Sequence, residues 1–224
     1  QNNMIKTVFF DMNETLLDLS SLQKHFDKQF DDKYVLKYWF TKLLHTSTVM
    51  GIVNQYKDFS ELAGVTLERI FHENDKVLDS KVKSEILSEF KKLRAHEDVV
   101  PALGMLKSVG IRTAAVSNSS SVMIKQQLDN SGISYLIDAY YSVDEVKKYK
   151  PFSDIYLSAT QQEGVAAENI LMVAAHDWDL LGAKKAGLLT AYVQRKEKIY
   201  HPDYLQPDYT ISCLPDLAQQ LMPG

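Results

Sequence analysis

The spacing of hydrophobic positions divides the 224-residue chain into three stretches. Thr7-Val8-Phe9-Phe10 is a short apolar, β-prone run that stops abruptly at Asp11, and a polar turn carrying Glu14 and Thr15 follows. From about Ser20 to Glu97 no good strand candidate occurs. Instead Phe26, Phe30, Val35, Leu36, Trp39, Phe40, Leu43 and Leu44 recur at helical spacing, as do Leu62, Val65 and Ile70. Val82, Ile86, Leu87, Phe90 and Leu93 continue the pattern. After Asp98 strands and helices alternate: Pro101–Val109, Ile111–Val116, Val122–Ser131, Ile170–Ala175, Asp179–Ala186 and Leu188–Val193. Such alternation predicts an α/β fold whose parallel sheet is covered on both faces. The helical stretch is then an insertion after the first strand. Gly110, Gly132 and Gly187 each follow a predicted helix, where a left-handed cap is favoured.

Polar chemistry clusters just after the strands. Asp11 follows the first, Ser117-Asn118-Ser119 the second, and His176-Asp177-Trp178-Asp179 the third, while Lys150-Pro151 precedes a helix carrying Tyr156. The carboxyl ends of parallel strands are where open α/β sheets bind ligands. A carboxylate there can act as a nucleophile and form an ester. The same residue can also simply cap a turn.

Composition narrows the partners. Hydrophobic residues make up 45% and charged residues 24%, as in ordinary globular proteins. A net charge of −4 gives no basis for binding nucleic acid or an anionic membrane. Cys213 is the only cysteine and can form no internal disulfide, which points to a reducing cytoplasm. Asp11 interrupts the N-terminal apolar run, so neither an ordinary signal peptide nor a membrane span is expected. Gln1-Asn2-Asn3, ahead of Met4, reads as an added remnant.

These motifs, in this order over residues 4–220, resemble the haloacid dehalogenase superfamily, and within it the L-2-haloacid dehalogenase (type II) branch. The resemblance implies a Rossmann-like core of residues 1–16 and 99–224 under an α-helical cap of residues 17–98. It also implies a homodimer. The expected reaction is hydrolysis of short (S)-2-haloalkanoic acids to (R)-2-hydroxy acids by Asp11 and water, through an aspartyl ester, without metal or other cofactor. Two rivals remain at this point: a superfamily phosphatase with an unusual Mg²⁺ site, and a protein that binds a small acid without turning it over.

Superfamily phosphatases place a second Asp two residues after the nucleophile; here Asn13 has no proton to give as an acid. Ala174-Ala175 stands where their metal-binding Gly-Asp pair would be, and Ala175 supplies no oxygen to a hard cation. Asp177 and Asp179 leave a displaced metal site open. Lys150 is the expected counter-ion of Asp11, while Lys147 and Lys148 read as solvated. Thr15 and Ser117 are expected donors to Asp11 or to the substrate carboxylate, and Asn118 matches a family position near substrate and halide. Relatives show a pattern like Ser-Ser-Asn-Ala-Trp-Asp in the fourth motif, whereas here His176 replaces the amide and offers a general base of near-neutral pKa. Glu14 stands where the family usually has glycine and is expected to orient His176. Asp179 either shares the base role or positions Lys150. Relatives also carry a halide-binding Arg on the second cap helix. Phe40 takes that place here, so Trp39, Phe40, Tyr156 and Trp178 complete the expected substrate and halide wall. His25, His45, His72, His96 and His201 receive no role.

Overall fold

The computed structural model describes residues 4–224; Gln1-Asn2-Asn3 lies outside the described residues. Six strands, β1 (Thr7–Phe10), β2 (Arg112–Ser117), β3 (Ala139–Ser142), β4 (Ile170–Ala174), β5 (Leu189–Val193) and β6 (Tyr209–Ile211), form one sheet. Their order is β3-β2-β1-β4-β5-β6 and every pairing is parallel. The chain steps outward from β1 to β3, then returns to lay β4 on the other side of β1. The order therefore reverses between β1 and β4, and a crevice opens at the carboxyl ends there. Phe10 pairs with both Ala115 and Val173, so β1, β2 and β4 end level with one another. Residues 11, 117 and 175 consequently reach the same rim.

Side chains alternate across the sheet, as the pleat requires. Val8, Phe10, Leu171 and Val173 pack toward α5 (Val99–Ser108), α6 (Ser121–Ser131) and α9 (Leu214–Leu221). Phe9, Val116 and Met172 pack toward α7 (Ser153–Glu163) and α8 (Asp177–Lys185). α6 starts on the Ser120 hydroxyl, which accepts from the Met123 N–H at 3.1 Å, and stops at Gly132 with φ 76°. β3 and β6 were not anticipated. Both are short edge strands, with little alternation to betray them.

Between β1 and β2 lie α1 (Ser20–Asp27), α2 (Val35–Ile52), α3 (Phe59–Glu73) and α4 (Ser80–Glu89). Asp58 and Asp79 cap α3 and α4, each accepting from backbone N–H groups of the first turn. The insertion has its own apolar centre. Trp39 is fully buried, with its ring 5.4 Å from Phe26 and 5.9 Å from Phe90. Truncating such a residue to alanine costs about 3–5 kcal/mol.

The insertion is clasped to the segment just ahead of Lys150. Tyr56 stacks on Tyr149 at 4.8 Å and bonds Asp144, and the Lys57 N–H donates to the Tyr149 hydroxyl at 2.9 Å. Lys148, expected to be solvated, instead donates to the Gly51 carbonyl at 2.6 Å.

Candidate active site

The β1 ladder runs one residue past the strand, where the Asp11 N–H donates to the Val173 carbonyl at 3.1 Å. Asp11 thereby sits at the reversal point of the sheet, with its side chain nearly buried. Lys150 Nζ lies 3.2 Å from Asp11 Oδ1 and 2.8 Å from Asp179 Oδ2. The Thr15 hydroxyl donates to Asp11 Oδ2 at 2.9 Å and itself accepts from the Ala175 N–H at 2.9 Å. His176 Nδ1 is 3.3 Å from Asp11 Oδ2, and its Nε2 is 3.7 Å from Glu14 Oε2. Asp11, Thr15, Lys150, His176, Glu14 and Asp179 are thus brought together from three separate parts of the chain.

Burial alone would raise the carboxyl pKa of Asp11. The cations of Lys150 and His176 and the hydrogen bonds of His176 and Thr15 outweigh it, holding Asp11 well below the usual carboxylate range. Lys150 resists its own burial because two carboxylates face it, and its pKa rises. Asp179 is raised, by burial first and by the charge of Asp11 second. His176 departs from expectation. Burial pushes it down, but Asp11 and Glu14 flank it and lift it to about 10, so at neutral pH the resting imidazole is a cation and not a free base.

Glu14 reaches His176 from an unusual backbone. Its φ of 73° lies in the left-handed region, which costs a side-chain-bearing residue about 1–3 kcal/mol. Neighbours hold it there. The His96 ring donates to the Glu14 carbonyl at 2.8 Å. Arg195 donates to the Thr15 carbonyl at 2.8 and 3.2 Å and forks onto Asp98 at 2.8 and 2.9 Å. Asp98 also accepts from the Leu214 N–H at 2.9 Å. Neither Arg195 nor Asp98 stands in a motif; only the fold brings them to the loop after β1.

A cavity of about 20 Å³ beside Asp11 is lined by Asn13, Phe40, Ser117, Asn118, His176 and Trp178, among others. Asn118 Oδ1 accepts from the Lys150 N–H at 2.8 Å, so its NH₂ end is the one left to meet a substrate. The Phe40 ring is 6.0 Å from that of His176, and Trp178 stacks on His176 at 5.6 Å. Two expected wall residues are elsewhere. Trp39 faces the insertion's interior, where its indole N–H donates to the Ala63 carbonyl at 3.2 Å. Tyr156 is fully buried behind the site, bonding both the carbonyl and the carboxylate of Asp179. Asp179 is itself fully buried, with its carboxylate 2.8 Å from Lys150 Nζ. A second cavity, about 610 Å³, lies between insertion and core and is lined by Glu14 and His176.

Among the described residues no group of three or more His, Cys, Asp or Glu side chains is placed to hold a metal ion. Lys150 Nζ occupies the space between Asp11 and Asp179, and Asn13 Oδ1 is taken by the Gln127 amide at 3.0 Å. Asp177 is likewise engaged, accepting from the N–H of Trp178 at 2.8 Å and of His201 at 3.2 Å.

Comparison with known proteins gives the family and the fold. The chain is 30% identical to (S)-2-haloacid dehalogenase 4A of Burkholderia cepacia, over 86% of its own length and 84% of that protein. It is 28% identical to (S)-2-haloacid dehalogenase 1 of Pseudomonas sp. (strain CBS-3), over 97% of both chains. Its fold superposes on an L-2-haloacid dehalogenase crystal structure with a TM-score of 0.93 at 25% identity, covering 97% and 99% of the two chains. The family model for haloacid dehalogenase-like hydrolases matches residues 5–187. The chain belongs to the haloacid dehalogenase-like hydrolase family.

Proposed function

We propose that the chain hydrolyses (S)-2-haloacids to (R)-2-hydroxy acids, with residues 17–98 acting as a cap over a core of residues 1–16 and 99–224. The observation that carries the reading is an ionised Asp11 held by Lys150 at a cavity where Asn13 offers no acidic proton. A carboxylate oxygen of Asp11 attacks C2 from the face opposite the halogen; the C–O bond forms as the C–halogen bond breaks, and halide leaves with the bonding pair. A halide needs no proton to depart, so Asn13 suffices where a phosphatase needs an acid. The Ser117 hydroxyl and the Asn118 NH₂ hold the substrate carboxylate, while Phe40 and Trp178 wall the halide.

The second half of the reaction uses the change in charge. Esterification neutralises Asp11 and removes one of the two carboxylates that keep His176 protonated. Its pKa falls, its proton passes to solvent, and the imidazole becomes a base for the hydrolytic water. That water attacks the ester carbonyl carbon, Lys150 stabilises the oxyanion, and the hydroxy acid leaves with the carboxylate of Asp11 restored. Glu14 orients the ring throughout.

The relatives named (S)-2-haloacid dehalogenase support the choice of substrate and hand. The reading extends to a cytoplasmic homodimer, supported by the family resemblance and the single cysteine, Cys213. Among the described residues no helix is long and apolar enough to cross a membrane.

The test is halide release from chloroacetate, bromoacetate and both enantiomers of 2-chloropropionate, beside p-nitrophenyl phosphate with and without Mg²⁺. Release from the (S) acid that is lost in folded Asp11→Asn supports the reading. Phosphate release, or halide release persisting in Asp11→Asn, refutes it.

A further inference from the structure

The cavity beside Asp11 is small for the reaction it serves. Its volume of about 20 Å³ admits roughly one water-sized group. A 2-haloacid presents a halogen, a carboxylate and a carbon tail around C2, so they cannot all fit beside Asp11. Phe40, Leu44, Lys150, His176 and Trp178 line both this cavity and the neighbouring chamber of about 610 Å³, so the two spaces share a wall at the reacting carbon. A chamber of that size is in the range that encloses a drug-sized ligand, far larger than a two- or three-carbon acid needs.

Its lining identifies the occupant. Leu19, Leu22 and Leu36 from the insertion extend the apolar surface begun by Phe40 and Leu44, and Pro151 faces them from the core. Glu14 and Asp177 are the acids near the inner end, and they repel a second anionic group. The inner cations are already met by carboxylates, Lys150 by Asp11 and Asp179 and His176 by Asp11 and Glu14. Lys37 and Glu197 pair at 3.6 Å with side chains 69% and 51% exposed, so their charges answer each other at the solvent mouth, and Lys196 answers the charge of Glu14. The inner chamber thus favours an uncharged, apolar chain.

We infer that this chamber is an acyl-tail site, and that the enzyme takes 2-haloacids with an unbranched alkyl tail of about four to eight carbons in preference to haloacetate. The inference rests on the dehalogenase reading above and extends its substrate range. C2 sits at Asp11, the halogen and carboxylate occupy the small cavity and its rim, and the tail runs past His176 along Leu44 toward Leu36. Chemistry at C2 is unchanged; the tail contributes binding.

The experiment measures kcat/KM for bromide release from bromoacetate and from (S)-2-bromopropionate, 2-bromohexanoate and 2-bromooctanoate. Each buried methylene is worth about a three- to fourfold gain, so kcat/KM should climb from propionate to octanoate, chiefly through KM. Thr41→Trp and Thr48→Trp each place an indole against the chamber from partly or fully exposed positions of α2, where folding tolerates it. Each should lower the octanoate-to-propionate ratio by about tenfold or more, the equivalent of about two lost methylenes. A flat or falling dependence on chain length in the wild type, with propionate still turned over, overturns the tail site and spares the dehalogenase reading. An unchanged ratio in both folded variants overturns it equally. Bromide from none of the four acids removes the dehalogenase reading, and the tail site with it.

Discussion

Asp11→Asn isolates the charge relation at the centre of the site, because an amide keeps the shape of the carboxyl group and deletes its charge, as esterification does. His176 Nδ1 is 3.3 Å from Asp11 Oδ2. At an effective dielectric constant of about 20, two unit charges at that separation interact by about 5 kcal/mol. At about 1.4 kcal/mol per pKa unit, losing this interaction lowers the imidazole by about three to four units. From about 10 in the wild type, His176 should fall to roughly 6–7 in the variant, with Glu14 at 3.7 Å as its remaining partner. That is the range of a useful general base at neutral pH. The assay is a pH titration of imidazole ¹⁵N shifts in histidine-labelled protein, with His176→Gln identifying the signal among the six histidines. A wild-type ring already neutral at pH 8 would refute the premise. A pKa in Asp11→Asn within one unit of the wild-type value would refute the argument that alkylation switches the base on.

Three further outcomes follow from the same geometry. His176→Ala should be alkylated at Asp11 but hydrolyse the ester about 10²–10⁴-fold more slowly, so a brief bromoacetate pulse leaves a carboxymethyl adduct visible by intact-protein mass spectrometry; wild-type steady-state rates would place the base elsewhere. Because the folded pKa of His176 is raised from 6.5 to about 10, its charge stabilises the fold fully below pH 6.5, and that stability is lost as pH rises toward 10. The unfolding free energy of wild type over His176→Gln, from urea curves, should therefore shrink between pH 7 and pH 10 by up to about 4 kcal/mol, and a constant difference would contradict the ion pairing. EDTA should leave turnover unchanged, because Lys150 stands between the two acids that could hold a cation; activity lost to EDTA and restored by Mg²⁺ would return the site to phosphatase chemistry.

Asp11, Ser117 and His176 were legible because each directly follows an apolar strand, where a sudden polar residue marks the end of a buried segment. The helical insertion was legible from its period. Trp39 and Phe40 show the limit of that signal. Adjacent residues on a helix differ by a third of a turn or less, so spacing alone did not tell which ring faces the cavity and which the insertion's core. Tyr156 matched a family position, but burial decides its partner, and burial is a property of the assembled fold. Arg195 and Asp98 were invisible for a related reason: they are 97 positions apart and carry no local pattern, yet their two-pronged bond pins the Thr15 carbonyl. The raised pKa of His176 was not legible, because the sequence does not show that Asp11 and Glu14 flank the ring on both sides.

The left-handed backbone of Glu14 bears on how such a site could arise. Where relatives carry glycine in the first loop and an amide in the fourth motif, this chain carries a strained glutamate and a histidine. Changing one partner alone is costly in either direction. Histidine facing glycine loses one of the two anions that keep it charged and oriented, and glutamate facing asparagine leaves a largely buried carboxylate on an unfavourable backbone without its cation. Glu14 and His176 therefore form a coupled pair, and in this chain the costs of replacing each alone should sum to more than the cost of replacing both. Those two sites behave as one inherited character, and grafting either residue singly into a relative should yield a poorer enzyme than grafting the pair.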